Sequence, residues 1–163
     1  MHTSQEGAFE PATGDDPATP GPLGGREAVV RTAFEGMMQI RRLTHTGHGD
    51  PGSVPAPWEV HRPVRAVALA LEAAGIPASS VGPSGERTAT GYRVCGGEAA
   101  GSVRVEWVGP PGGGAAAGEE EALAGCVTAL RRLGWTVLLY RGPRRRRFLE
   151  VEAPPAASVA RQA

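Results

Sequence analysis

Arg144, Arg145, Arg146 and Arg147 stand consecutively in YRGPRRRRFLEVEAPP, residues 140–155, the densest run of one side-chain chemistry in the sequence. Gly142 and Pro143 mark a turn, and Phe148 opens a β-rich run, so the spacing predicts the tip of a β-hairpin. Alternation sends Arg145 and Arg147 to one side of that tip and Arg144 and Arg146 to the other. A basic ribbon of this kind grips phosphates or an acidic protein surface. Four phosphate contacts on duplex DNA give a salt slope of about −3.6, which is weak and non-specific binding.

Other residues that carry chemistry lack the company it needs. His45, His48 and Asp50, with His61 further on, sit in a Gly/Pro-rich loop with no cysteine and no HExxH frame to orient them, so no metal is expected. GPSGER, residues 82–87, is not a nucleophile elbow, and GPPGGG leads into Glu119, Glu120 and Glu121, whose charge repels a phosphate. Glu106, Glu150 and Glu152 are candidates to meet as paired carboxylates across strands, but nothing marks a pocket for them, and charge pairing with Arg93, Arg104 or Arg141 is the expected use. Cys95 and Cys126 form no CxxC pair and read as free thiols. No lysine occurs, since all 17 basic residues are arginine, which excludes a Schiff base and a P-loop lysine. No cofactor and no enzymatic activity are expected.

The absence of lysine and asparagine beside abundant Ala, Gly, Pro and Arg is the codon bias of a high-GC bacterium, of the actinobacterial kind. The formal net charge is zero but unevenly spread. Residues 1–25 hold acids and no arginine, which sets an acidic head against the basic end. There is no signal-peptide pattern, and the longest apolar run, AVALAL, is far below the ~20 residues that span a bilayer, so the expected location is the cytoplasm.

These residues must be positioned by a small α+β scaffold. Residues 1–25, rich in Pro, Gly and Asp, are expected to be a disordered tail. Residues 26–43 place Val30, Ala33, Phe34, Met37 and Ile40 at helical spacing, an amphipathic helix on which Met37 and Met38 make an adaptable apolar surface for a partner. Residues 44–61 read as loop and linker. From 62 to 155 the pattern runs helix, strand, strand, and then repeats: PVRAVALALEAAG with hairpin runs at 90–96 and 102–109, then EEEALAGCVTALRRLG with WTVLLY and FLEVE. Letters recur between the halves: ALEAAGI with ALRRLGW, YRV with YRG, RVEWVGPP with FLEVEAPP. An internal duplication follows. Residues 156–163 read as a flexible tail.

The expected architecture is therefore a two-layer sandwich, a four-stranded antiparallel sheet from two αββ units plus the N-terminal amphipathic helix. Val103, Val105, Trp107, Leu149 and Val151 face the helices, and Arg104, Glu106, Phe148, Glu150 and Glu152 face outward. The functional expectation is a non-catalytic interaction module, binding a protein partner or itself through Arg144–Arg147, Phe148, Met37 and Met38. The alternative is weak nucleic-acid binding through the arginine hairpin.

Overall fold

The computed structural model describes residues 9–18 and 23–155. The rest of the acidic head and the expected C-terminal tail, 156–163, lie outside the described residues. The fold is α+β, with helices packed on a four-stranded antiparallel sheet. The helices are α1 Leu23–Thr44, α2 Pro57–His61, α3 Pro63–Ala73 and α4 Ala115–Arg132. The sheet contains β3 Gly91–Gly96, β4 Val103–Val108, β5 Thr136–Arg141 and β6 Arg147–Glu152, in the order β3-β4-β6-β5. The polar stretch before β3 forms a hairpin of its own, β1 Ser80–Val81 with β2 Arg87–Ala89.

The core follows from the two periodicities. Every residue of α3 from Ala66 to Leu71 is buried, because the helix is covered by the sheet below and by α1 above. Val103, Val105, Leu149 and Val151 alternate inward to meet it, with Leu123, Cys126 and Leu130 of α4. Trp107 lies on this face but is only half-buried, and Trp135, at the turn from α4 into β5, is the buried tryptophan.

Helix α1 departs from its expected stripe. Val30 and Met37 are buried, with Ala33, Phe34 and Met38 packed around them, but Ile40 faces solvent and its neighbour Arg41 is fully buried. A buried guanidinium needs a counter-charge and filled hydrogen bonds, and both are present. Arg41 forks onto Glu59 of α2, Nε to Oε2 at 2.8 Å and Nη2 to Oε1 at 2.6 Å, and both side chains have zero exposure. Its Nη1 donates to the carbonyls of Gly52 and Leu133 at 2.8 and 2.7 Å, and the Ala56 N–H donates to Glu59 Oε2 at 2.9 Å. Within the stretch expected to be loop and linker, residues 51–59 are thus packed between α1 and the end of α4, whereas residues 46–50 are exposed. Gly134, at φ 85°, lets this segment in, since a Cβ there would strike the Ser53 carbonyl.

The acidic head is also corrected in part. Residues 9–18 are a strap anchored by Phe9 against the α1 cluster and, beyond it, by hydrogen bonds and ion pairs to residues far away in sequence, which composition does not reveal. The Ala12 N–H donates to Glu72 Oε1 at 2.9 Å, and Arg26 grips the same carboxylate from α1. The Thr13 carbonyl accepts the Val94 N–H at 2.7 Å, and Asp15 pairs with Arg87 and Arg93. Gly14, at φ 97°, lies so close to the Tyr92 carbonyl that a side chain there is excluded.

Glu59→Gln leaves the Arg41 charge buried and unpaired, and should destabilise the protein by about 3–5 kcal/mol in a denaturant melt. Replacing both partners with apolar residues of similar volume should cost clearly less than the single change. A single-variant loss below about 1 kcal/mol would contradict the pair's structural role.

Candidate interaction surface

A four-stranded sheet leaves two edges, and this chain treats them differently. On β3 the outward backbone groups are covered: the Tyr92 N–H donates to Pro77, the Tyr92 carbonyl accepts from Ser79, and the Val94 N–H donates to Thr13. On β5 the Gly142 N–H donates to the Arg146 carbonyl at 2.6 Å, so even-numbered residues of β5 bond to β6 and the backbone groups of Val137, Leu139 and Arg141 point outward. Among the described residues no backbone group bonds to that outer side. The Val137 carbonyl is met instead by the Arg131 guanidinium at 2.9 Å.

The side chains of β5 are unusual for an edge. Leu138, Leu139 and Tyr140 are 51%, 53% and 45% exposed, whereas Val137 is 2% exposed. Strands apolar on both faces are ordinarily buried on both faces, and exposed edges are ordinarily protected by charge or proline. Leu139 lies on the helix side, at the rim of an open groove of about 440 Å³ whose wall is α4 through Ala124, Val127, Thr128, Glu120 and Arg131. Leu138 and Tyr140 lie on the open face. There Tyr140 stacks on Phe148 at 5.7 Å between ring centroids, and Arg104 covers the Phe148 ring at 4.0 Å. Phe148 is therefore the middle of a ladder that ends at the open edge.

The arginine run does not form a ribbon. Pro143–Arg145 is a 3₁₀ turn, with Arg144 held at φ 62°, and Arg147 already belongs to β6. Of Arg145 only the backbone is described. Arg144, Arg146 and Arg147 share one open groove of about 890 Å³ with Arg87, Arg93, Glu106 and Glu119, rather than alternating to two sides. Much of its charge is already matched: Arg87 and Arg93 hold Asp15, Arg93 lies 3.5 Å from Glu106, and Arg147 lies 3.6 Å from Glu120. Arg144 and Arg146 are exposed, with no ion pair among the described residues. Glu119, expected to open its helix, lies further in because α4 begins at Ala115, and its Oε1 accepts the Arg147 N–H at 2.7 Å.

Met37 and Met38 are not brought to this surface. Met37 is buried against Val30 and Leu69, and Met38 packs beside it, so the methionines fasten α1 to its own domain. Other candidate chemistry is dispersed. Glu150 accepts from the Ser102 hydroxyl at 2.8 Å, and among the described residues no three His, Cys, Asp or Glu side chains gather in a way that could hold a metal. Among them also, no helix is long and apolar enough to cross a membrane. The β5 edge was missed in the sequence because strand order decides which strand is outermost, and no residue pattern encodes that order directly.

Burial shifts Tyr92 and both thiols. It raises the Tyr92 hydroxyl, which donates to the Ala12 carbonyl at 2.8 Å, well above the ordinary tyrosine value. It pushes Cys126 from the ordinary 9.0 up to about 12, and raises half-buried Cys95 as well. No protein-family model, curated protein or solved structure matches the chain.

A thiol whose folded pKa exceeds its unfolded value stabilises the fold fully below the unfolded value and loses that contribution as pH rises toward the folded one. Stability should therefore fall between pH 9 and about 12 through Cys126, and Cys126→Ala should flatten that part of the profile while lowering stability at neutral pH. Denaturant melts across that range test it, and an unchanged slope in the variant would contradict the assignment.

Proposed function

We propose that this protein is a non-catalytic interaction module that works by strand addition: an extended chain docks along the outer side of β5. The observation that carries the reading is a strand apolar on both faces, lying at an open edge, with the backbone donors and acceptors of Leu139 and Arg141 pointing outward. Main-chain hydrogen bonds along such an edge supply affinity, and the side chains on its two faces supply selectivity. Leu138, Tyr140 and Phe148 offer an apolar and aromatic surface on one face, and the groove beside Leu139 receives a side chain on the other.

An internal duplication supports this reading. In the order β3-β4-β6-β5 the edge strands correspond to each other, as do the central pair, and Val105 and Leu149, matched in RVEWVGPP and FLEVEAPP, sit directly opposite. The helix ends correspond too. Gly75 and Gly134 adopt φ 81° and 85°, with Ile76 N–H donating to Leu71 and Trp135 N–H to Leu130, both at 3.2 Å. The match of YRV with YRG is not part of this correspondence, because Tyr92 faces the helices and Tyr140 the open side. Within the duplicated frame the strap on β3 occupies the position that no described residue fills along β5.

A second reading, phosphate binding by the arginine turn, rests on Arg144 and Arg146 sharing a groove with Arg87, Arg93 and Arg147. One experiment separates the two. Proline at Arg141 removes an outward N–H without touching the β5–β6 ladder, whereas serine at Arg144–Arg147 removes the charge. In affinity capture from native extract, strand addition predicts that the bound chain is lost with Arg141→Pro and kept by the serine variant at high salt. Salt-sensitive nucleic acid, lost only with the serine variant, would move the function to the arginines.

A further inference from the structure

Resting on the strand-addition reading, we infer that the chain received by β5 is the β5 of a second copy, in a twofold dimer centred on Leu139. An isologous interface requires a surface complementary to itself under a half-turn. Antiparallel pairing of β5 with its copy places Leu139 opposite Leu139 and Val137 opposite Arg141, so every outward N–H and carbonyl of these residues finds its complement. On the open face Leu138 of each copy falls beside Tyr140 of the other, which carries the Tyr140–Phe148 stack across the junction.

Helix α4 meets the same symmetry independently. Its face toward β5 carries Glu120, Ala124, Val127, Thr128 and Arg131: an acid at one end, a base at the other, and small or apolar side chains between. A half-turn about the middle of this stripe brings Glu120 of each copy toward Arg131 of the other, and the helix dipoles oppose as well. The two centres lie at one level. Arg131 bonds to Val137, while Glu119 and Glu120 reach Arg147, the register partner of Arg141. Residues 137–141 of the strand cover roughly 13 Å and residues 120–131 of the helix roughly 16 Å, so Leu139 stands at the height of the helix midpoint. One axis therefore serves both layers.

The contacts inside one chain also fit this exchange. Arg131 now occupies the Val137 carbonyl, which in the dimer accepts the Arg141 N–H of the second copy and releases the guanidinium to Glu120 across the axis. The groove of about 440 Å³ beside Leu139 receives the Leu139 of the second copy. A partner of different sequence would meet the backbone edge equally well, but nothing in such a partner would require an acid, Glu120, and a base, Arg131, at opposite ends of the α4 face that lines the groove with Leu139.

Charge reversal with complementation tests this directly. In sedimentation velocity the wild type should be a dimer. E120R and R131E should each weaken association at least tenfold by setting like charges opposite one another. An equimolar mixture of E120R with R131E should restore the dimer, because each chain then presents the charge the other lacks, and the double variant E120R/R131E should dimerise by itself. Restoration on mixing also establishes that the single variants are folded. A monomeric wild type at the highest attainable concentration, or single variants that remain dimeric, would overturn the inference. If the wild type is monomeric yet Arg141→Pro still loses a captured chain, the second-copy inference fails while strand addition stands. If Arg141→Pro loses nothing, both fail.

Discussion

Unpaired backbone at the rim of a sheet is the constraint on which this structure turns. Four strands bury one face under helices, but they leave two rows of donors and acceptors that water or another chain must satisfy. Among the described residues the constraint is answered at one edge. The strap of residues 9–18 and the stretch 77–79 lie along β3, fixed by Glu72, by Asp15 and by a backbone approach that only Gly14 permits. Nothing comparable among the described residues lies along β5, where Leu138, Leu139 and Tyr140 are exposed. The sheet thus has one covered edge and one that is open and apolar among the described residues, the asymmetry on which the proposed strand addition rests.

The buried Arg41–Glu59 pair sets the other dimension. Besides joining α1 to α2, Arg41 holds the Leu133 carbonyl, the last turn before β5 begins. The guanidinium therefore ties the outer helix to the connection that fixes the height of β5 against α4. A buried ion pair adds little net stability compared with well-packed apolar residues, but it is highly specific about which groups may meet. Here it specifies the joint between the helical layer and the open edge.

Much of the scaffold was legible in the residues, for stated physical reasons. Alternation at Val103, Val105, Leu149 and Val151 gave the buried face of the sheet, and the nearly continuous apolar circumference of α3 gave its two-sided cover. Polar interactions over long sequence separation were not legible. Nothing in the residues around Arg41 points to its burial, because its partner Glu59 lies in a stretch that reads as loop, and Asp15 looked like part of a disordered tail because its arginines lie more than seventy residues away. The arginine run drew attention by density, yet the Arg147 guanidinium is already placed against Glu120, and its backbone N–H against Glu119. The more telling signal was adjacent Leu138 and Leu139, apolar on both faces of a strand. That signal acquires meaning only once strand order places β5 at the rim.

The central claim is that the chain closes the β3 edge itself and leaves the β5 edge for another chain. Residue-resolved amide hydrogen exchange, followed across a dilution series, measures both edges in one experiment. The account predicts that the Tyr92 and Val94 amides, bonded to Pro77 and Thr13, stay protected at every concentration, while the Leu139 and Arg141 amides exchange freely in dilute protein and slow as concentration rises. Leu139 and Arg141 amides whose exchange is independent of concentration, or a Val94 amide that exchanges as fast as theirs, would contradict it.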